Sequence, residues 1–495
     1  MTALDFPWWL RITHFFNFLL ISLLWRSGIE ILSSHPKLYF NDDCRPGSEW
    51  LSFTRKKMPA HELWTSRDEE ISLNSVVALP GRRNLGLGRH WHFLSDIGWL
   101  TTGIVYIVLL FATDEWRRLV PTSWSIFPSA WHAAVTYASF HLVVTPGRYN
   151  PLQQLAYFGV VFLLAPFTIL TGLAMSPAIA ARYPWYIKIF HGRQAARSLH
   201  FLCLCAFTLF FIGHITMVVL HGFARELAKI VLGEVAHPNF KLALILGWFG
   251  IGVVILVHVL ATEYSLHNPR MVQRRTQRVI DLVRHALFSR EVPMEHYPRS
   301  DISPYFRVNG RPPRDSRYEQ MARNQFEGYV LEVCGSVENP LRLTLADLRQ
   351  MPKRTQITKH CCIQGWSAVA EWGGVELREI IRQCRPTPTV RWATFFAFDD
   401  KSETEPEPAG SGHFYGTISM RLACHPQTIL AYEMNYQPLP IAHGAPLRLR
   451  VETQLGFTMV KYLRAIEFLE SYAHIGLGQG GWREDYQFYS PEAGI

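Results

Sequence analysis

Residues 199–219 read LHFLCLCAFTLFFIGHITMVV, an apolar run holding two histidines, His200 and His214. About 20 apolar residues suffice to cross the hydrocarbon of a bilayer. The fourteen residues between the histidines rise about 21 Å on a helix and make close to four whole turns. The two imidazoles therefore share one face at opposite depths of one membrane. A polar ring at such depth is costly unless it is paired or ligated.

Four more runs have the length and apolarity of membrane spans, near 11–32, 92–112, 155–175 and 242–262, with 199–220 as the fourth of five. His14 begins the first and His90 and His92 precede or begin the second. Because successive spans alternate direction, His14 meets the level of His214, and His90 or His92 meets the level of His200. The sequence thus predicts two bis-histidine sites, one per leaflet, as two b-type haems stacked across a membrane require. His92 is preferred to His90 because it lies deeper in the apolar run. His221, seven residues past His214, is the rival ligand at the span's edge. His258 in the fifth span reads as a polar contact or part of a quinone pocket. The segment SAWHAAVTYASFHLVV (129–144) is too short and polar to span and is expected along the interface.

The first four spans resemble the b-type dihaem cytochrome subunits of nickel-iron hydrogenases and formate dehydrogenases. The shared features are THFFNFLL around His14, GRHWHF before the second span, and the fourteen-residue histidine pair. The resemblance covers roughly 8–262 and implies electron exchange with a membrane quinone.

The chain has 495 residues, 48% of them hydrophobic and 18% charged, with a net charge of +9. The positive charge lies largely in arginine-rich loops beside the apolar runs, which reads as membrane-flanking charge and not as a nucleic-acid surface. No cleavable signal peptide is expected. The eight cysteines form no CxxC pair and no zinc spacing. Division is expected at 1–265 (membrane domain), 266–297 (basic linker) and 298–495. The last part carries strand-like runs, YVLEVCG, TQITKHCCI, VRWATFFAF, PLRLRVE and LRAIEFLE, with helices at TLADL and GVELREIIRQC. The stretch DDKSETEPEPAGSG reads as a surface loop. The fold class is an all-α bundle of five spans with a dihaem four-helix core, followed by an α+β domain.

In that domain KHCCIQGWSAV sets a cysteine at a strand end before a Gly-Trp turn, where a thiolate can take a soft metal. YFRVNG (305–310), CIQGWSAV (362–369), LAYEMNYQPLPIAHGAPLRLRV (430–451) and GFTMVKYLRAIEF (456–468) follow in order. Together they resemble the sulfite-oxidase superfamily of molybdopterin enzymes, and within it the methionine-sulfoxide reductase catalytic subunits. The resemblance implies Cys362 as the molybdenum ligand, with Cys361 second to it. It implies Phe306, Arg307, His443, Arg448 and Lys461 as pterin and phosphate contacts, suited to an anionic cofactor. Tyr415 is a further candidate, for the substrate pocket. The family's hydroxyl residue some 35 positions after the cysteine corresponds to Ala397, and the arginine pair that follows the cysteine in sulfite oxidases is absent.

The expected function is therefore a membrane oxidoreductase with molybdopterin and two b haems, in a bacterial cytoplasmic membrane. It would link quinol to removal of oxygen from a small sulfoxide or N-oxide. Substrate oxidation that reduces quinone, or a non-catalytic cofactor-binding module, are the alternatives. Lysine and arginine concentrate in the loops on the C-terminal side, which favours a cytoplasmic catalytic domain; the resemblance implies a periplasmic one.

Overall fold

A computed structural model describes residues 6–59, 61–143, 149–233, 238–287, 294–404, 412–490 and 494. Five helices are long and apolar enough to cross a membrane: Trp8–Ser34, Leu85–Ala112, Pro151–Met175, Arg193–Leu220 and Phe240–His267. Each extends past the apolar run that signals it. The second and fourth spans gain about two turns at their starts, which carry Arg89 and Arg193 to the soluble half and Arg197 to the backbone of His35 and Lys37 between the first two spans. The third span passes through a π-helical stretch, Gly159–Leu164, just before Pro166. Proline lacks the N–H for an i→i−4 bond and crowds the preceding turn, so the wider winding there has a local cause. Ile126–Ala138, which overlaps the segment too short and polar to span, forms a short helix.

The stretch between the first two spans is not a free loop. It contains a two-residue ladder, β1 (Lys37–Leu38) on β2 (Leu51–Ser52), and it packs against the soluble half. Arg307 donates to Glu69 Oε2 at 2.8 Å, Ser66 to Asn309 Oδ1 at 2.7 Å, and Gln364 to Glu70 Oε1 at 2.7 Å.

The soluble half is built on two five-stranded sheets. One contains β5 (Lys353–Cys361), β6 (Ser367–Glu376), β9 (Thr428–Met434) and β10 (Gln437–Pro438), with β11 (Arg448–Val451) also on β9. The other runs β4 (Leu341–Thr344), β3 (Val330–Gly335), β12 (Leu463–Leu469), β7 (Trp392–Asp400), β8 (His413–Ser419). β12 pairs parallel to β3, and every other pairing is antiparallel among the described residues. All five strand-like runs are strands. The helix at TLADL has its capping box, Thr344 with Asp347. The expected helix in GVELREIIRQC begins only at Leu377, because Gly373–Glu376 continue β6. Of the loop predicted at DDKSETEPEPAGSG (399–412), Asp399 and Asp400 instead end β7 and Lys401–Thr404 form a short helix, while 405–411 lie outside the described residues.

The halves meet on one face of the bundle. Arg270 of the helix after the fifth span donates to Asp485 O at 2.6 Å, and Gln273 to Tyr489 O at 2.8 Å. Gln194 donates to Gly365 O at 2.9 Å, and Arg193 Nη1 lies 3.6 Å from Cys361 Sγ. The ends of the first and fifth spans and the starts of the second and fourth thus abut the sheet domain.

Candidate functional site

The bundle brings the predicted histidines together in two pairs. His14 and His214 face each other across the first and fourth spans with ring centroids 6.4 Å apart. They open on a cleft of ≈ 1840 Å³ that Phe18, Trp25 and Phe211 also line. Ligand pockets are on the order of 300–1,000 Å³, so this cleft has room for a group as large as a haem. Arg11, Arg225 and Lys229 on its lining offer cations to propionates. His92 and His200 lie near enough for their charges to interact.

The hydrogen bonds around these rings leave one nitrogen available. Ser27 Oγ donates to Leu23 O at 2.8 Å, so it accepts from His92 Nδ1, 3.1 Å away. Thr171 Oγ1 donates to Thr168 O at 2.9 Å and accepts from His200 Nδ1 at 3.1 Å. Tyr157 OH lies 3.2 Å from His214 Nδ1. Where Nδ1 donates, as in His92 and His200, Nε2 carries the lone pair, which is how a second layer of partners prepares a metal-binding imidazole.

Of the rival histidines, His221 lines the same cleft as His14 and His214, and His90 and His258 lie outside it. His90 packs against the backbone of Phe488, in the C-terminal segment. His221 donates Nδ1 to Met217 O at 2.9 Å, and its Nε2 is 3.4 Å from Tyr137 OH. His258 lies between Arg26 and Ser22, each at 2.8 Å.

In the soluble half Cys362 caps β5, and the turn after it closes by Cys362 N–H to Trp366 O at 2.9 Å and Gly365 N–H to Cys362 O at 3.1 Å. Gly365 has φ +108°, a conformation that favours glycine. Cys362 is 6% exposed and faces a cavity that Phe306, Asn309, His443, Arg448 and Lys461 also line. Phe306 packs edge-on to His443 and Trp372, with centroids at 5.3 and 5.7 Å. Lys461 Nζ donates to Ala442 O at 3.0 Å, and Arg448 Nη1 to His443 O at 2.8 Å, while Arg448 Nε has no partner.

These cations are poorly compensated. Burial, with Arg450 beside it, pushes Arg448 down to about 9. Burial and Arg448 push Lys461 well below its ordinary value, and burial with Lys461 brings His443 down to about 3. A buried cluster in which positive charge is disfavoured is a site for an anion. Burial also pushes the Cys362 thiol up to about 12, and a coordinated metal would favour the thiolate instead. The residues present therefore fit a phosphate-bearing, metal-carrying cofactor.

Two expected residues are turned differently. The Arg307 guanidinium reaches Glu69, Tyr39 OH (2.8 Å) and Cys44 O (3.0 Å), so it clamps the inter-span segment even though it borders the cavity. Tyr415 stands apart from the residues lining the cavity; its hydroxyl donates to Asp485, in the C-terminal turn, because β8 faces that segment. Sequence reasoning missed Asn309, Gln364 and His360, which line the cavity. All three lie inside the quoted stretches and could have been singled out there.

Comparison with known proteins gives two family matches. Residues 5–233 match the family described as prokaryotic cytochrome b561, and 318–474 match the oxidoreductase molybdopterin binding domain. The chain is 32% identical over 189 residues to the "Putative protein-methionine-sulfoxide reductase subunit YedZ1" of Azospira oryzae, which is 38% of this chain and 63% of that protein. It is 32% identical over 146 residues to the protein-methionine-sulfoxide reductase catalytic subunit MsrP of Campylobacter jejuni, covering 29% and 49%. It is 30% identical over 169 residues to MsrP of Xanthomonas axonopodis, covering 33% and 51%. The chain thus spans about half to just under two thirds of the length of these relatives. It is a multi-pass membrane protein that joins a cytochrome b561-type segment, a haem b carrier, to a molybdopterin-binding oxidoreductase domain.

Proposed function

We propose that this chain is a quinol-dependent reductase of the bacterial cytoplasmic membrane that removes oxygen from a small sulfoxide or N-oxide. The observation that carries this reading is the fourth span. Arg193, in its first turn, reaches Cys361 Sγ, next to Cys362. His200 follows seven residues on, about 10 Å along the helix. One rigid element therefore ties the sulfur site to the nearer histidine pair, and the farther pair lies about 21 Å beyond on the same helix.

Within that reading His14 with His214, and His92 with His200, hold two haem irons, and Cys362 holds molybdenum. Phe306 packs the pterin, while His443, Arg448 and Lys461 answer its anionic end. Arg307 holds the inter-span segment over the site. When bound, the haems supply one-electron relay and the molybdenum cofactor supplies two-electron oxygen-atom exchange. Ser27 and Thr171 fix the tautomers of their histidines. Trp366 and Phe306 keep water from the buried thiol. The methionine-sulfoxide reductase relatives support a sulfoxide substrate. The domain division at 1–265, 266–297 and 298–495 belongs to the same proposal.

The test is single-turnover reoxidation. Dithionite-reduced protein is mixed with a dialkyl sulfoxide while the haem spectrum is followed. Reoxidation is expected in the native chain and is expected to fall by about 100-fold or more in Cys362→Ser, with haem content unchanged. Equal rates in both would refute the reading. Haem reduction by sulfite with no response to sulfoxide would reverse the direction of flow.

A further inference from the structure

Glu30 has no role in the account so far. It stands near the end of the first span, is 1% exposed, and lines the same cavity as Cys362. Neither carboxylate oxygen makes a well-formed hydrogen bond, although the backbone amides of Asn84 and Gly81 face it and favour its charged form against burial and the neighbouring Glu70. Gly88 of the second span closes on it so tightly that a Cβ there would come within 2.7 Å of Glu30 Cγ. The side chain is thus walled off from the second span.

The other carboxylates on this cavity are placed differently. Asp399 is ion-paired to Lys401 at 2.6 Å. Glu70 accepts from Gln364 at 2.7 Å, has Arg67 Nε at 3.9 Å, and is faced by Arg83 and Arg483. Glu70 also faces Glu30, and no cation pairs with Glu30 among the described residues. Two carboxylates sharing one buried site do not both ionise. Burial disfavours charge on both, but Arg67, Arg83 and Arg483 favour the charged form of Glu70, whereas Glu30 has no such cation and is the better place for the shared proton.

We propose that Glu30 is the acid that delivers protons to the Cys362 cavity, a residue of the membrane half serving the chemistry of the soluble half. This rests on the reductase reading above. Reduction of a sulfoxide consumes two electrons and two protons: the S=O bond breaks, sulfur keeps a lone pair, and oxygen leaves as water. A quinol provides the two electrons, becoming quinone and releasing two protons. Glu30 gives one proton at a time, its O–H bond breaking to leave a carboxylate that takes up a proton from solution, and the two protons released from quinol balance the two consumed.

The experiment compares the native chain with Glu30→Gln and Glu30→Asp. In molybdenum-free protein at neutral pH, infrared spectroscopy is expected to show a protonated-carboxyl C=O stretch that Glu30→Gln removes. In cofactor-loaded protein, Glu30→Gln is expected to slow haem reoxidation by sulfoxide about 100-fold and to abolish its solvent isotope effect. Haem reduction by quinol stays unchanged, and Glu30→Asp recovers part of the rate with a displaced pH profile. A protonated-carboxyl region of the infrared spectrum that Glu30→Gln leaves unchanged overturns the proposal, as does a loaded variant with native rate and pH profile. If Glu30→Gln fails to load cofactor, an unaltered pH profile in Glu30→Asp overturns it equally. If no oxide reoxidises native haem, the reductase reading fails, and the infrared band still decides whether Glu30 holds the proton.

Discussion

The two halves of the molecule hold their cofactor sites by opposite means. In the bundle, each site needs two imidazoles from two helices, set by the pitch of an α-helix, around a large apolar cleft. In the sheet domain, the site is gathered from the ends of β5, β11 and β12 and an extended arm, and its defining property is uncompensated buried positive charge. The bundle needs few polar atoms because haem is mostly apolar and its iron asks for neutral nitrogen. The sheet domain needs many because a phosphate-bearing cofactor must replace its water with fixed donors. Regular helices are therefore enough for the first site, whereas the second depends on a complete tertiary fold.

The largest effect separates the halves outright. His200→Ala is expected to lose one haem per chain and to lower quinol-driven turnover by more than about 100-fold, beyond what an outer partner costs. Sulfoxide reduction driven by a viologen that reaches the soluble half directly should persist. If both activities fell together, the halves would not be separable. A smaller effect tests the layer behind the ligands. Thr171→Ala removes the acceptor from His200 Nδ1 and is expected to weaken haem retention about 10-fold. The matched loss in Ser27→Ala, read by haem titration of the apoprotein, would show that both histidines are prepared alike.

The smallest effect concerns the sheet domain without its cofactor. His443 is lowered to about 3 from an ordinary 6.5. The unfolded chain therefore binds a proton that the folded chain resists. The stability this group contributes is complete above about 6.5 and is lost as pH falls toward about 3. Thermal unfolding of molybdenum-free protein should show that acid loss, and the loaded protein should show less of it because an anion compensates the cluster. Parallel acid limbs would remove the case for an anionic ligand there.

Much of this was legible in the sequence, for unequal reasons. The pairing of His14 with His214 and of His92 with His200 follows from counting turns and alternating spans, because helix geometry is local. The strands with simple apolar alternation were equally plain. β6 was not, since Gly373 and Gly374 interrupt its pattern and its place is set by pairing with β5 and β9. The order of motifs pointed to Cys362, but no local pattern indicated that Arg307 would turn to Glu69 or Tyr415 to Asp485. Least visible of all was Glu30, a single carboxylate near the end of the first apolar run. Only the folding of 33–91 over the sheet domain shows that this carboxylate borders the sulfur site.

The central claim is that paired imidazoles at two depths hold two haems in one chain with one molybdenum. The direct measurement is a reduced-minus-oxidised spectrum of the purified protein with haem and molybdenum counted per chain. The account predicts two b haems and one molybdenum, with one haem lost in His200→Ala. A folded preparation with fewer than two irons per chain, or a spectrum unchanged by that substitution, would contradict it.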